Sequence, residues 1–150
     1  MEADDKMSMK LELFPEPDLL RVVATGEFSL GEAGRTFLEM LEAVAEHKVK
    51  KVLFDGRGLA GEPGIMERFY YGEFAAQSVA NFESRGVSRP THFAYVLEEP
   101  VLDPRRFGET VAVNRGMFVR AFDNPEHALT WLEAASADKP NAGTNVDNGR

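Results

Sequence analysis

Apolar residues along this chain change spacing nine times, and each change marks an element. Lys10 to Phe14 alternates polar and apolar, the signature of a half-buried or edge strand. Pro15-Glu16-Pro17-Asp18 reads as a turn, because proline fixes φ and removes backbone donors. Leu19 to Phe28 is a second strand, close enough to the first to pair with it as an antiparallel hairpin. Ser29-Leu30-Gly31-Glu32 fits a capping box, and Ala33, Phe37, Met40, Leu41 and Val44 follow at helical spacing to about His47. Lys51 to Phe54 is continuously apolar after its lysine, as a strand at the centre of a parallel sheet is. Pro63 suits the first turn of a second helix that continues to about Phe82 and stops near Gly86. Thr91 to Leu97 is the next strand. Asp103-Pro104 opens a short helix ending near Asn114, with Gly116 as its stop. Met117 to Phe122 is a fifth strand, and Asn124-Pro125-Glu126 opens a last helix whose stripe is Ala128, Leu129, Leu132 and Ala135, with Trp131 beside it.

The resulting order, ββαβαβαβα, predicts an α/β fold. A hairpin followed by α-β units gives a mixed, mostly parallel five-stranded sheet with about four helices on its faces, because right-handed crossovers carry the helices there. The domain spans about residues 9–136. Residues 1–8 and 137–150 are polar and without periodicity, and are expected to be disordered.

Composition narrows the function. The formal charge of −8 argues against nucleic acid or an anionic membrane surface, which both require a basic patch. The absence of cysteine removes disulfides, thiolate metal sites and thiol nucleophiles. No apolar run approaches the roughly 18 residues of a membrane span, and the N-terminus lacks the apolar core of a signal peptide, so a cytoplasmic location is expected. The three histidines, His47, His92 and His127, fall in different elements with no ligand spacing, so neither a metal nor a cofactor is expected.

The stretch after the third strand carries the candidate chemistry. Gly56-Arg57-Gly58-Leu59-Ala60-Gly61 matches G-x-G-x-x-G, but Pro63 places the helix start after the third glycine. The acidic ribose ligand wanted about 20 residues further on is also missing. A turn requiring positive φ is the simpler reading. A milder alternative is a phosphate or carboxylate bound by Arg57 and by free amides near Gly61 and Gly64 at the helix start. Asp55 and Glu62 flank that loop and oppose an anion; Asp55 alternatively pairs with Arg57. The second helix has apolar residues on two sides. Projected at roughly 100° per residue, Ile65, Phe69, Ala76, Val79 and Ala80 form a core stripe, while Tyr70, Tyr71, Phe74 and Phe82 fall largely opposite. The second set is either covered within the monomer or a contact surface or pocket wall.

The order of elements, together with KKVLFDGRG and FVRAFDNPEHALTWLEA, resembles the STAS domain of anti-sigma-factor antagonists, and most closely the STAS-like bacterial proteins related in fold to the CRAL-TRIO lipid-binding domain. The resemblance implies a non-enzymatic regulatory module that binds a protein partner or itself through the second helix and the loop before it. Phospho-switch members of that family carry a serine or threonine at the start of this helix. Pro63-Gly64-Ile65 stands there instead, and no serine or threonine lies between Thr36 and Ser78. The residues expected to bind a ligand or partner are Asp55, Arg57, Gly58, Gly61, Glu62, Tyr70, Tyr71 and Phe74. Two alternatives stay open: a carrier of a small apolar ligand such as a lipid, and a phosphate- or nucleotide-binding protein.

Overall fold

A computed structural model describes residues 8–84 and 91–138. Its elements are β1 (Lys10–Glu16), β2 (Leu19–Glu27), α1 (Leu30–His47), β3 (Lys51–Ala60), α2 (Ile65–Ser84), β4 (His92–Val96), α3 (Phe107–Asn114), β5 (Phe118–Phe122) and α4 (Pro125–Asp138). The five strands lie in the order β1-β2-β3-β4-β5, with β1 antiparallel to β2 and every other neighbouring pair parallel. Each crossover therefore steps one strand in the same direction, and handedness places α1, α2 and α3 on one face. The fourth helix packs on the other face, against β4, β3 and β5.

Alternation along the central strands divides the core in two. Val52, Phe54, Phe93 and Tyr95 join Leu20 and Val22 of β2 beneath α1–α3. Leu53, Ala94 and Val96 point the other way, onto Ala128 and Leu132 of α4. Burial on both faces is what the continuous apolar run of β3 requires.

Local chemistry fixes the helix starts. Ser29 Oγ accepts from the Glu32 amide at 3.4 Å, as a capping residue does. The Glu32 carboxylate does not reach back, however, and accepts instead from the Met9 amide at 3.2 Å and from Arg35. Asn124 Oδ1 accepts from the Glu126 and His127 amides at 2.8 and 3.1 Å. Asp103 does not cap α3 directly. Its carboxylate accepts from the Arg105 and Phe107 amides, making a turn that delivers Arg106 in the left-handed region at φ 55° before the helix begins at Phe107.

Three expectations are corrected. The glycine-rich stretch is not a loop: β3 continues through it to Ala60, pairing Gly58, Leu59 and Ala60 with Thr25, Gly26 and Glu27 after a register shift. Only Gly61 of that stretch has positive φ, at 107°. Gly56 is required by packing, since a Cβ there would sit 2.7 Å from Leu97 Cδ2. The inward face of α2 also differs from the projected stripe. Ile65 and Ala80 are exposed, while Tyr71, Gly72, Ala75, Ala76, Val79 and Phe82 turn inward or pack on the core. Finally, α4 extends to Asp138, so the first two residues of the expected tail are helical. The remaining tail, residues 1–7 and the expected stop at Gly86 lie outside the described residues.

The angle of α2 is set by a glycine contact. A Cβ on Gly72 would approach Gly108 O at 2.6 Å and Val111 Cβ at 3.3 Å, so α2 and α3 touch backbone to backbone. We expect Gly72→Ala to destabilise the fold by about 1–3 kcal/mol, because the overpacked contact is with main chain that cannot rotate away. Urea denaturation measures this directly, with Gly31→Ala, where a Cβ meets nothing within 4 Å, as the neutral comparison.

Candidate functional site

Small residues on α2 and α3 face large ones on the sheet, and a cavity of about 140 Å³ lies between them. Ala75 and Gly72 of α2 and Gly108 and Ala112 of α3 form its roof, while Phe54, Tyr95 and Leu97 form its floor. Its lining is mostly apolar, with a few polar groups placed among it, the usual character of a small-molecule site.

The central polar feature is a pair of tyrosines. Tyr71 of α2 and Tyr95 of β4 share a hydroxyl–hydroxyl hydrogen bond of 2.6 Å, with their rings edge to face at 6.4 Å. Tyr95 also packs on Phe54 at 4.5 Å and Tyr71 on Phe37 at 6.1 Å, so both rings are held on several sides. Burial pushes the Tyr71 hydroxyl up to about 12, opposed by its bond to Tyr95. Burial, reinforced by Tyr71, pushes Tyr95 well above the ordinary 10.0. Both therefore remain neutral hydroxyls throughout the physiological range.

Arginines and acids stand around the same cavity. Arg68 donates from Nη1 to Val101 O at 2.9 Å and from Nη2 to Pro100 O at 2.8 Å. Arg106 Nη1 donates to Ala121 O at 2.7 Å, and Glu109 Oε1 accepts from the Ala121 amide at 3.0 Å. These two residues thus satisfy the outward main-chain groups of Ala121 on the edge strand β5, groups that would otherwise invite pairing with another chain. Arg106 Nε is buried and has no partner among the described residues. Desolvation raises the Asp103 carboxyl, but the Phe107 and Arg105 amides outweigh it and leave the group below its ordinary value.

The residues singled out in the sequence do not converge on one place. Asp55 follows Phe54 and so faces the α4 side of the sheet, away from the cavity. Its Oδ1 accepts from Arg57 Nε at 3.0 Å and its Oδ2 from Arg57 Nη2 at 2.8 Å. The hydrogen-bonded guanidinium holds Asp55 below the usual carboxylate range against desolvation, and the carboxylate raises Arg57 in turn. Gly58 lies inside β3, Gly61 at its end, and Glu62 is exposed beyond it. The Gly64 amide is taken by Glu67 Oε1 at 2.8 Å. Both groups on which an anion site would depend are therefore engaged within the chain. The projected aromatic face is divided: Tyr70 and Phe74 are exposed, whereas Tyr71 points into the cavity.

Sequence reasoning missed Tyr95, Arg106 and Glu109. Tyr95 carried a signal, since alternation in Thr91–Leu97 puts a phenol on the same buried face as Phe93. Arg106 and Glu109 carried none, because their partner is main chain 12 to 15 residues away. Among the described residues no helix is long and apolar enough to cross a membrane, and no three acidic, histidine or cysteine residues cluster as metal ligands would.

No protein-family model matches the chain, and no curated protein matches its sequence. Solved structures do. An anti-sigma factor antagonist from Mycobacterium paratuberculosis overlaps at a TM-score of 0.50 and 15% identity, over 84% of this chain and 95% of that one. The anti-sigma factor antagonist SpoIIAA in its unphosphorylated form overlaps at 0.48 and 9% identity, over 85% of this chain and 97% of its own. The first overlap and the strand order together show the STAS fold expected from the sequence.

Two measurements follow from these groups. A tyrosine whose folded pKa lies above its unfolded value contributes stability that is complete below about pH 10 and lost as pH rises through the folded value. Urea midpoints should therefore fall from pH 10 upward more steeply in the wild type than in Tyr71→Phe/Tyr95→Phe. In contrast, Asp55→Asn should cost less than about 1 kcal/mol in the same assay, because the Asp55–Arg57 pair is partly solvated.

Proposed function

We propose that this protein is a non-enzymatic binding module that acts through protein contact, with the first two turns of α2 as its contact surface. The observation that carries this reading is the exposure of three large apolar residues there: Ile65 at 63%, Met66 at 53% and Tyr70 at 48%. They lie on contiguous faces of one helix, where water gains nothing from them and a partner would. The similar solved protein is described as an antagonist of an anti-sigma factor, and so as acting toward another protein. That likeness supports the reading at the level of the fold.

The surroundings of the patch fit contact better than chemistry. Asp55 and Arg57 neutralise one another, the Gly64 amide is capped by Glu67, and the preceding segment offers no nucleophile. The helix starts at Ile65 without a hydroxyl residue beside it, so a phosphate acceptor of the kind used by phospho-switch STAS proteins is absent from this position. Contact here is constitutive with respect to that switch.

Photo-crosslinking tests the reading. A benzophenone side chain placed at Ile65 or Tyr70 in living cells should give a discrete heavier adduct, either of two copies of this chain or of this chain with another protein. The same group at Phe14, an exposed aromatic on β1, should not. Ile65→Glu/Tyr70→Glu should abolish binding of the captured protein while changing folding stability by less than about 0.5 kcal/mol. No adduct at either α2 position, or equal adducts at Phe14, would defeat the proposal.

A further inference from the structure

We propose that the cavity beneath α2 and α3 is a binding site for a compact apolar molecule, about the size of one six-membered ring, that carries a hydrogen-bond-accepting oxygen. This inference goes beyond the protein-contact reading and is independent of it: the cavity uses the inner side of α2, the contact surface its outer side.

Size comes first. An enclosed apolar cavity of about 150 Å³ accepts benzene, and this one measures about 140 Å³. Phe54, Leu59, Ala75, Leu97, Ala112 and Met117 give it apolar walls on every side that the sheet, α2 and α3 supply.

The spare polar groups then specify the chemistry. Two tyrosine hydroxyls carry two protons, and the bond between them uses one. The other belongs to the accepting hydroxyl, and both tyrosines line the cavity. Arg106 Nε–H is a buried donor without a partner among the described residues. A buried donor left unmatched is costly, and a ligand acceptor would recover that cost. Several polar groups around the cavity are, in contrast, in use. Asp103 receives the Arg105 and Phe107 amides, and Glu109 Oε1 receives the Ala121 amide. The Thr36 hydroxyl donates to Ala33 O. The buried side-chain polar atom without a partner among the described residues is a donor, Arg106 Nε, so the ligand supplies an acceptor, a carbonyl or a carboxylate oxygen.

The test compares three probes of equal ring size on the purified full chain: acetophenone, benzoate and ethylbenzene. The readout is the methyl resonance of Met117, which lines the cavity, assigned by its loss in Met117→Leu. At least one oxygenated probe should shift it with an affinity about tenfold above that of ethylbenzene, the value of one buried hydrogen bond. Preference for acetophenone identifies a neutral carbonyl, and preference for benzoate a carboxylate. In Tyr71→Phe/Tyr95→Phe, which keeps the ring volumes, the preference should fall to within about twofold. The site is refuted if neither oxygenated probe shifts Met117, or if ethylbenzene binds the wild type equally well. An undiminished preference in a folded double variant refutes the role of the tyrosine pair. The wild-type comparison stands by itself if that variant does not fold.

Discussion

Strands β3 and β4 bury side chains on both faces, and the placement of every helix depends on that demand. Val52, Phe54, Phe93 and Tyr95 must be covered on one side, Leu53, Ala94 and Val96 on the other. Three right-handed crossovers supply the first layer but all fall on the same face. The second face is left to the one helix with no described strand after it. Its contribution is small but well placed: Ala128 and Leu132 are essentially inaccessible, one turn apart, directly over Leu53 and Ala94. The α4 layer is therefore thin. It leaves Asp55 and Arg57, midway along β3, beyond its cover, where a charge pair is tolerable.

The cavity arises from a mismatch within the thicker layer. Gly72 and Gly108 let α2 and α3 meet at their backbones, and a contact that close fixes how far both helices stand from the sheet. Ala75 and Ala112 then fall short of the sheet, while the aromatic residues below cannot rise because each ring is packed on another. Burying two phenols in such a space has a cost that their mutual hydrogen bond only partly offsets. The same layer also closes the edge of the sheet. Arg106 and Glu109 bind both main-chain groups of Ala121, and the left-handed backbone at Arg106 aims the guanidinium there. The Nε of Arg106 is left buried without a partner among the described residues.

How much of this was legible in the chain depended on how local each cause is. The element order, the continuous apolar character of β3, the Asn124 cap and the α4 stripe follow from contacts within a few residues, and spacing reports them. The stretch Gly56–Gly61 misled because glycine was taken to mean positive φ. At Gly56 and Gly58 it means a missing Cβ beside Leu97 and Thr25, and neither neighbour is near in sequence. The faces of α2 misled for a related reason. Tyr71 and Ile65 are interchangeable in apolar periodicity, and the choice between them is made by the Gly72–Gly108 contact. Of the candidate site, the Asp55–Arg57 pair was foreseen as one alternative because the two residues are two apart. The tyrosine pair spans α2 and β4, and the edge clamp spans α3 and β5, so neither leaves a pattern in either segment alone.

The two sides of α2 pose one physical problem. A helix that is apolar all round is normally buried all round, and this one is not. Its inner side meets a sheet it does not fully reach, and its first turns present Ile65, Met66 and Tyr70 outward with no described element above them. Phe69, between these two sides, is covered by Phe107 of α3 and by Arg115 just after that helix. Phe74 lies against Gly34 of α1. Both neighbouring helices have therefore already taken the flanking apolar residues they can reach. The residue of the problem is an outward patch too far from α1 and α3 to be closed from within the described fold, and an inner space that the glycine contact keeps open. The proposed protein contact would cover the first, and the proposed small molecule would fill the second. Neither can substitute for the other, because the helix itself separates them.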